Sequence, residues 1–137
     1  MLDQLETIAA QQGLTFAFGE ESDLNPVAAG YLKDQPPLLF HEGYLSGTVT
    51  TDGQGADEIA YSIRLWVLVP VSKNDSPFTH RTHIAFLRAY ALQYLREVRK
   101  VARLSPVQLT EGIELTTRIL DGLRLTFTAT PLDPLSC

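Results

Sequence analysis

A chain of 137 residues is the length of one domain, and 45% apolar against 20% charged residues describes a sequence that buries a core instead of staying disordered. The formal net charge of -5 and a pI near 5.1 argue against nucleic acid as the main partner. No apolar run approaches the roughly 20 residues of a membrane-spanning helix, and one cysteine, Cys137, leaves no intrachain disulfide.

The opening phrase MLDQLETIAAQQG has neither the basic start nor the apolar stretch of a signal peptide. Leu2, Leu5, Ile8 and Ala9 instead set one apolar stripe, which predicts a short helix over about residues 2–12 with Gly13 as its left-handed cap. LTFAF (14–18) reads as a brief strand. Residues 19–36, with two prolines and four acids, read as an irregular connection, with one helical turn at NPVAAGYL.

LLFHEGYLSGTVTT (38–51) is the second strand, and Gly43 and Gly47 suggest a bulge or bend in it. Across a glycine-rich turn follows IAYSIRLWVLVPV, in which Ile59, Tyr61, Ile63, Leu65, Val67, Val69 and Val71 alternate on one face. These two runs predict a long antiparallel hairpin. A long helix follows over about residues 79–102. Its core stripe is Ile84, Leu87, Ala91, Leu95, Val98 and Ala102, widened on one flank by Phe86, Tyr90, Tyr94 and Val101. Ser105-Pro106 ends it. VQLTEGIELTTRIL and LRLTFTATPL then close the chain as two strands, joined by a type I′ turn at Asp121-Gly122.

The order α-β-β-β-α-β-β predicts an α+β fold for residues 1–137. In it a mostly antiparallel sheet of about five strands is covered by two helices in a two-layer sandwich. Ile63, Leu65, Val67, Leu87, Leu95, Leu125 and Phe127 are expected in one core.

Charge is distributed unevenly. Residues 1–79 carry eleven acids against three bases, a balance of -8, whereas residues 80–103 stand at +5 with Glu97 their one acid. On the long helix Arg81, Arg88, Arg96, Arg99 and Arg103 fall opposite the apolar stripe. Such a face suits the helix dipole and solvent. It also suits an acidic partner, including a second copy whose Glu20, Glu21 and Asp23, or Asp57 and Glu58, supply carboxylates.

Catalytic and cofactor signatures are missing: there is no GxSxG, HExxH, P-loop or GxGxxG. His80 and His83 form an HxxH pair and His41 lies in a strand, but HxxH without a carboxylate or cysteine at ligand spacing is a weak metal signal, so no metal is expected at these three. GEESD (19–23) lacks the spacing of a calcium loop. Trp66 and Arg64 fall on the strand face opposite the aliphatic one, where a small molecule or peptide could bind.

The layout, with phrases such as GLTFAFGEESDLNP (13–26) and RILDGLRLTFTA (118–129), resembles the phage tail-terminator and tail-completion family over most of the chain. The resemblance implies a non-enzymatic, cofactor-free α+β subunit that forms a ring with its own copies. Its other partners would be tail or neck proteins, met in the bacterial host cytoplasm during assembly and then in the virion. It also implies that the hairpin tip, Thr51 to Glu58, orders on assembly. Two alternatives stand beside it: a binding module built around Trp66, and a nucleic-acid-associated protein using the arginine face.

Overall fold

A computed structural model describes residues 1–19, 37–43, 45–51, 53, 57–70, 77–112 and 120–132. Among the described residues, two helices, α1 (Leu2–Gln11) and α2 (Pro77–Val98), accompany seven strands: β1 (Thr15–Gly19), β2 (Leu38–Glu42), β3 (Ser46–Thr51), β4 (Asp57–Pro70), β5 (Ala102–Leu104), β6 (Gln108–Gly112) and β7 (Leu120–Pro131). The fold is α+β, as the pattern of apolar residues implies.

α1 ends as its sequence dictates. Gly13 takes φ +73°, the Gly13 amide bonds the Ala10 carbonyl, and the Leu14 amide bonds the Ala9 carbonyl at 2.9 Å. This paired closure is the one a left-handed glycine permits. It turns Leu14 back into the core beside Ile8 and Ala9.

The sheet is mixed, with order β1-β2-β4-β7-β5, while β3 also pairs with β4 and β6 with β7. β4 and β7 form its antiparallel spine, from Tyr61↔Ala129 to Pro70↔Leu120. The sequence implies about five mostly antiparallel strands, and two features depart from that. β1 runs parallel to β2, from Thr15↔Leu38 to Gly19↔Glu42, so the chain must cross back between them. The irregular connection expected there lies outside the described residues.

Both strands flanking the spine are also broken. The expected strand 38–51 divides into β2 and β3 around Gly43, whose φ of +76° only glycine adopts readily. Ser105-Pro106 separates β5 from β6. Ser105 bridges its own break: its amide donates to the Thr128 carbonyl at 2.9 Å, and its Oγ accepts from the Thr128 amide at 2.8 Å. The two breaks flank one rung of the spine, Ile63↔Phe127. His41 and Ser46 bracket it on one side, and Leu104 and Gln108 on the other. Extra residues on both sides bend a sheet at that level.

Two local expectations are corrected. Asp121-Gly122 is not a hairpin turn: both residues lie inside β7, paired with Val69 and Leu68. Pairing with a long neighbouring strand outweighs the local Asp-Gly preference. The long helix also stops at Val98, not at about 102. The amides of Lys100 and Val101 bond back to the Glu97 and Val98 carbonyls, and Ala102 to Leu104 then pair with the end of β7.

The core lies between the helices and one face of the sheet. Ile63, Leu65, Val67, Leu87, Leu95, Leu125 and Phe127 are all buried there in one cluster, as the two periodicities require. α1 joins it through Leu5, Ile8 and Ala9. Of the expected flank of α2, Tyr94 is fully buried and Tyr90 half-buried. Phe86, however, is 48% exposed and packs edge-on against Tyr90.

Candidate functional site

Three places on this frame bring chemically distinctive side chains together. The first is the outward face of α2. Successive residues turn by about 100°, so Arg81, Ala85, Arg88, Ala89, Leu92 and Arg96 share the side opposite the buried stripe, and all are exposed. Arg99, just past the helix, is exposed as well. The structure divides the five arginines of the expected cationic face. Arg88 pairs with Glu111 of β6 inside the same chain. Arg103 is not on the helix at all: it stands in β5 and bonds Glu58 of β4 at 2.9 Å. Lys100 pairs with Glu97 at 3.0 Å. Arg81, Arg96 and Arg99 meet no carboxylate among the described residues.

The acidic half of the expected contact is divided too. Glu58 bonds Arg103 within its own chain, and both side chains remain exposed. Asp57 is exposed and accepts a hydrogen bond from the Thr51 hydroxyl at 2.7 Å. Glu20, Glu21 and Asp23 lie outside the described residues.

The second place is the outer face of the sheet. Trp66 is half-buried between Phe40 and Arg124 in the cross-strand register. The Arg124 guanidinium lies over its ring, 5.6 Å from the centroid, and donates to Glu42 at 2.8 Å. That pairing is a cation–π stack tied down by a partly buried ion pair. Beside it, the bend opens a shallow groove of about 320 Å³ lined by Ile63, Pro106 and Phe127 as well as by Ser62, Arg64, Ser105, Gln108, Thr126 and Thr128. This lining mixes polar and apolar groups about equally and lies open, whereas small-molecule sites are mostly apolar and enclosed. His41 lies on the other face of β2, fully buried. Its Nδ1–H donates to the Gly43 carbonyl at 2.9 Å, and its Nε2 has no partner among the described residues. Burial holds its pKa below the usual histidine value. The Arg64 charge adds to that effect, against the Gly43 bond and the Glu42 charge.

The third place is where α2 begins. His80 and His83 stand three residues apart on its first turns, about 60° from each other around the axis. The strand register carries Asp121 to the same point, on the helix-facing side of β7 with Leu123 and Leu125. Asp121 is completely buried. His80 Nδ1 lies 2.9 and 2.7 Å from its two oxygens, and His83 Nδ1 lies 2.9 Å from Oδ2. The two rings meet edge to face at 6.4 Å. One nitrogen from each histidine and a carboxylate oxygen thus gather within 4.8 Å of one another. Sequence spacing does not reveal this trio, because the carboxylate comes from 38 residues away in a dipeptide that reads as a turn.

The sequence matches no protein-family model and no curated protein.

Proposed function

We propose that this protein is a structural subunit that assembles with copies of itself through the outward face of α2, in the manner of phage tail-terminator rings. One observation carries the reading. Arg81, Arg96 and Arg99 are exposed without a carboxylate among the described residues, and they border an exposed apolar strip of Ala85, Ala89 and Leu92, with Leu92 51% exposed. Arginine next to apolar surface is the composition of a protein interface, and its planar fork pairs bidentately with carboxylates.

A second copy is the partner because the chain supplies the opposite charge itself. Asp3 and Glu6 of α1 and Asp57 of β4 are exposed on elements other than α2, in a chain of net charge -5. A basic face meeting an acidic face elsewhere on the next copy is a heterologous contact, the kind that closes into a ring.

Sedimentation velocity over a range of concentrations tests this. Wild type forms concentration-dependent oligomers. Arg96→Glu with Arg99→Glu stays folded and assembles less, the loss being largest at low salt, where surface charge is least screened. A monomer at every concentration, or a mutant indistinguishable from wild type at both salt levels, would overturn the proposal. Arg88 and Arg103 are left out of this variant because their reversal would break ion pairs within one chain.

A further inference from the structure

We infer that His80, His83 and Asp121 form a binding site for one divalent transition-metal ion of the zinc class, joining the start of α2 to the start of β7. The inference is independent of how the protein assembles.

Convergence of the three groups is the first argument. Two imidazole nitrogens and one carboxylate oxygen lie within 4.8 Å of one another, all from rigid elements and not from loops. Both Nδ1 atoms are directed at the same oxygen, Asp121 Oδ2, at 2.7 and 2.9 Å. Two nitrogens and one oxygen with an open fourth position is a ligand set found at zinc sites. Tetrahedral bonds of about 2.0–2.1 Å place neighbouring ligand atoms roughly 3.3 Å apart. The two nitrogen–oxygen distances therefore need to open by only about half an ångström to admit an ion, while the two nitrogens settle at about 3.3 Å from each other.

Charge is the second argument. The Asp121 side chain is wholly excluded from solvent. A buried carboxylate is stabilised by an opposite charge, and a dication held by one Asp121 oxygen and both imidazoles adds that charge at the point where the imidazoles already meet it. Proton balance is simple. Each ring bound through Nδ1 keeps one N–H, at Nε2, and any proton beyond one per ring leaves to solvent.

The ligand types select the ion. Calcium and magnesium take six or more oxygens, which this site does not offer. Imidazole with a single carboxylate suits zinc, with cobalt, nickel and copper as competitors in the usual order. His83 has 24% of its side chain exposed, so the fourth position opens towards solvent and takes water.

The test uses the full-length protein, stripped with a chelator and titrated with Zn²⁺ or Co²⁺ alone. Wild type takes up one equivalent, Co²⁺ gives the intense visible bands of a tetrahedral site, and Zn²⁺ raises the thermal midpoint. His83→Ala, altering the most accessible ligand, binds at least about a hundredfold more weakly, since even an outer-shell loss costs 10–100-fold. Wild type that takes up neither ion would overturn the inference and leave the trio as a hydrogen-bonded clamp. Equal uptake by wild type and His83→Ala would overturn it also, by placing the metal elsewhere. Circular dichroism of His83→Ala, matched to wild type, separates ligand loss from unfolding.

Discussion

The Tyr94 hydroxyl donates to the Leu5 carbonyl at 2.9 Å, tying the C-terminal part of α2 to α1 inside the core. Both side chains are fully buried. Desolvation raises the phenol pKa far above its usual value, so the hydroxyl remains a donor at any working pH. The Leu5 carbonyl also accepts its own helical bond within α1, so losing the tyrosine leaves no buried group wholly unpaired. Tyr94→Phe should therefore cost about 0.5–1.5 kcal/mol, the net worth of one such bond. Tyr94→Ala, which also empties the ring's volume, should cost roughly 3–5 kcal/mol. Urea denaturation of the three proteins measures both. Equal losses for the two variants would mean that packing contributes nothing beyond the hydroxyl.

The phase of α2 is checked by two leucines about 60° apart around its axis, on either side of the boundary between buried and exposed. Leu95 is buried at 2% exposure and Leu92 is 51% exposed. Leu95→Ala should cost roughly 2–5 kcal/mol as a large-to-small core change. Leu92→Ala should stay within about 0.5 kcal/mol in the monomer, as surface changes do. Denaturation at a concentration low enough to keep the protein monomeric distinguishes them, and a reversed order would rotate the helix.

His41 gives a pH prediction whose sign follows from its burial. Its native pKa lies below the ordinary value of about 6.5, so below that pH the unfolded chain binds the proton more readily. This contribution to stability is complete above about pH 6.5 and is lost as pH falls from there through the native pKa. His41→Gln, which keeps a donor for the Gly43 carbonyl, should flatten stability against pH relative to wild type between about pH 7 and 5. Comparing the two slopes isolates His41 from the other histidines. Parallel slopes would show that His41 charges as easily in the folded protein as outside it.

Period-two alternation made the face of β4 legible, because Ile63, Leu65 and Val67 had nowhere else to go but inward. The 3.6-residue period did the same for Leu87, Leu95 and Val98 of α2. Both signals are local, and they place the core without knowledge of what packs on what. Non-local features stayed hidden. Parallel pairing of β1 with β2 depends on how the chain returns, which no residue in either strand encodes. Asp121-Gly122 carries the local signature of a turn, and only the partners Val69 and Leu68 hold it in a strand. The same blindness concealed the trio at the start of α2: HxxH was visible, but its carboxylate arrives by sheet register. Among the arginines, the helix positions of Arg81, Arg88 and Arg96 were readable, whereas Arg103 stands in a strand. That Arg88 and Arg103 have partners in β6 and β4 was not readable.

The two breaks beside Ile63 and Phe127 make the sheet's stiffness uneven. Across that rung the outer rows lose their regular ladder, and β4 and β7 alone continue straight through. Beyond it, Asp57–Ala60 pair with β3 and have no β7 partner, so that part of the hairpin is a two-stranded lever, with every β3 residue exposed. At the rung Ser105 holds the strands together through its side chain as well as its backbone. Asp121 lies six residues further along β7, about 20 Å at the rise of a strand. The bent rung and the end of the sheet that meets the start of α2 are thus set apart along one unbroken ladder.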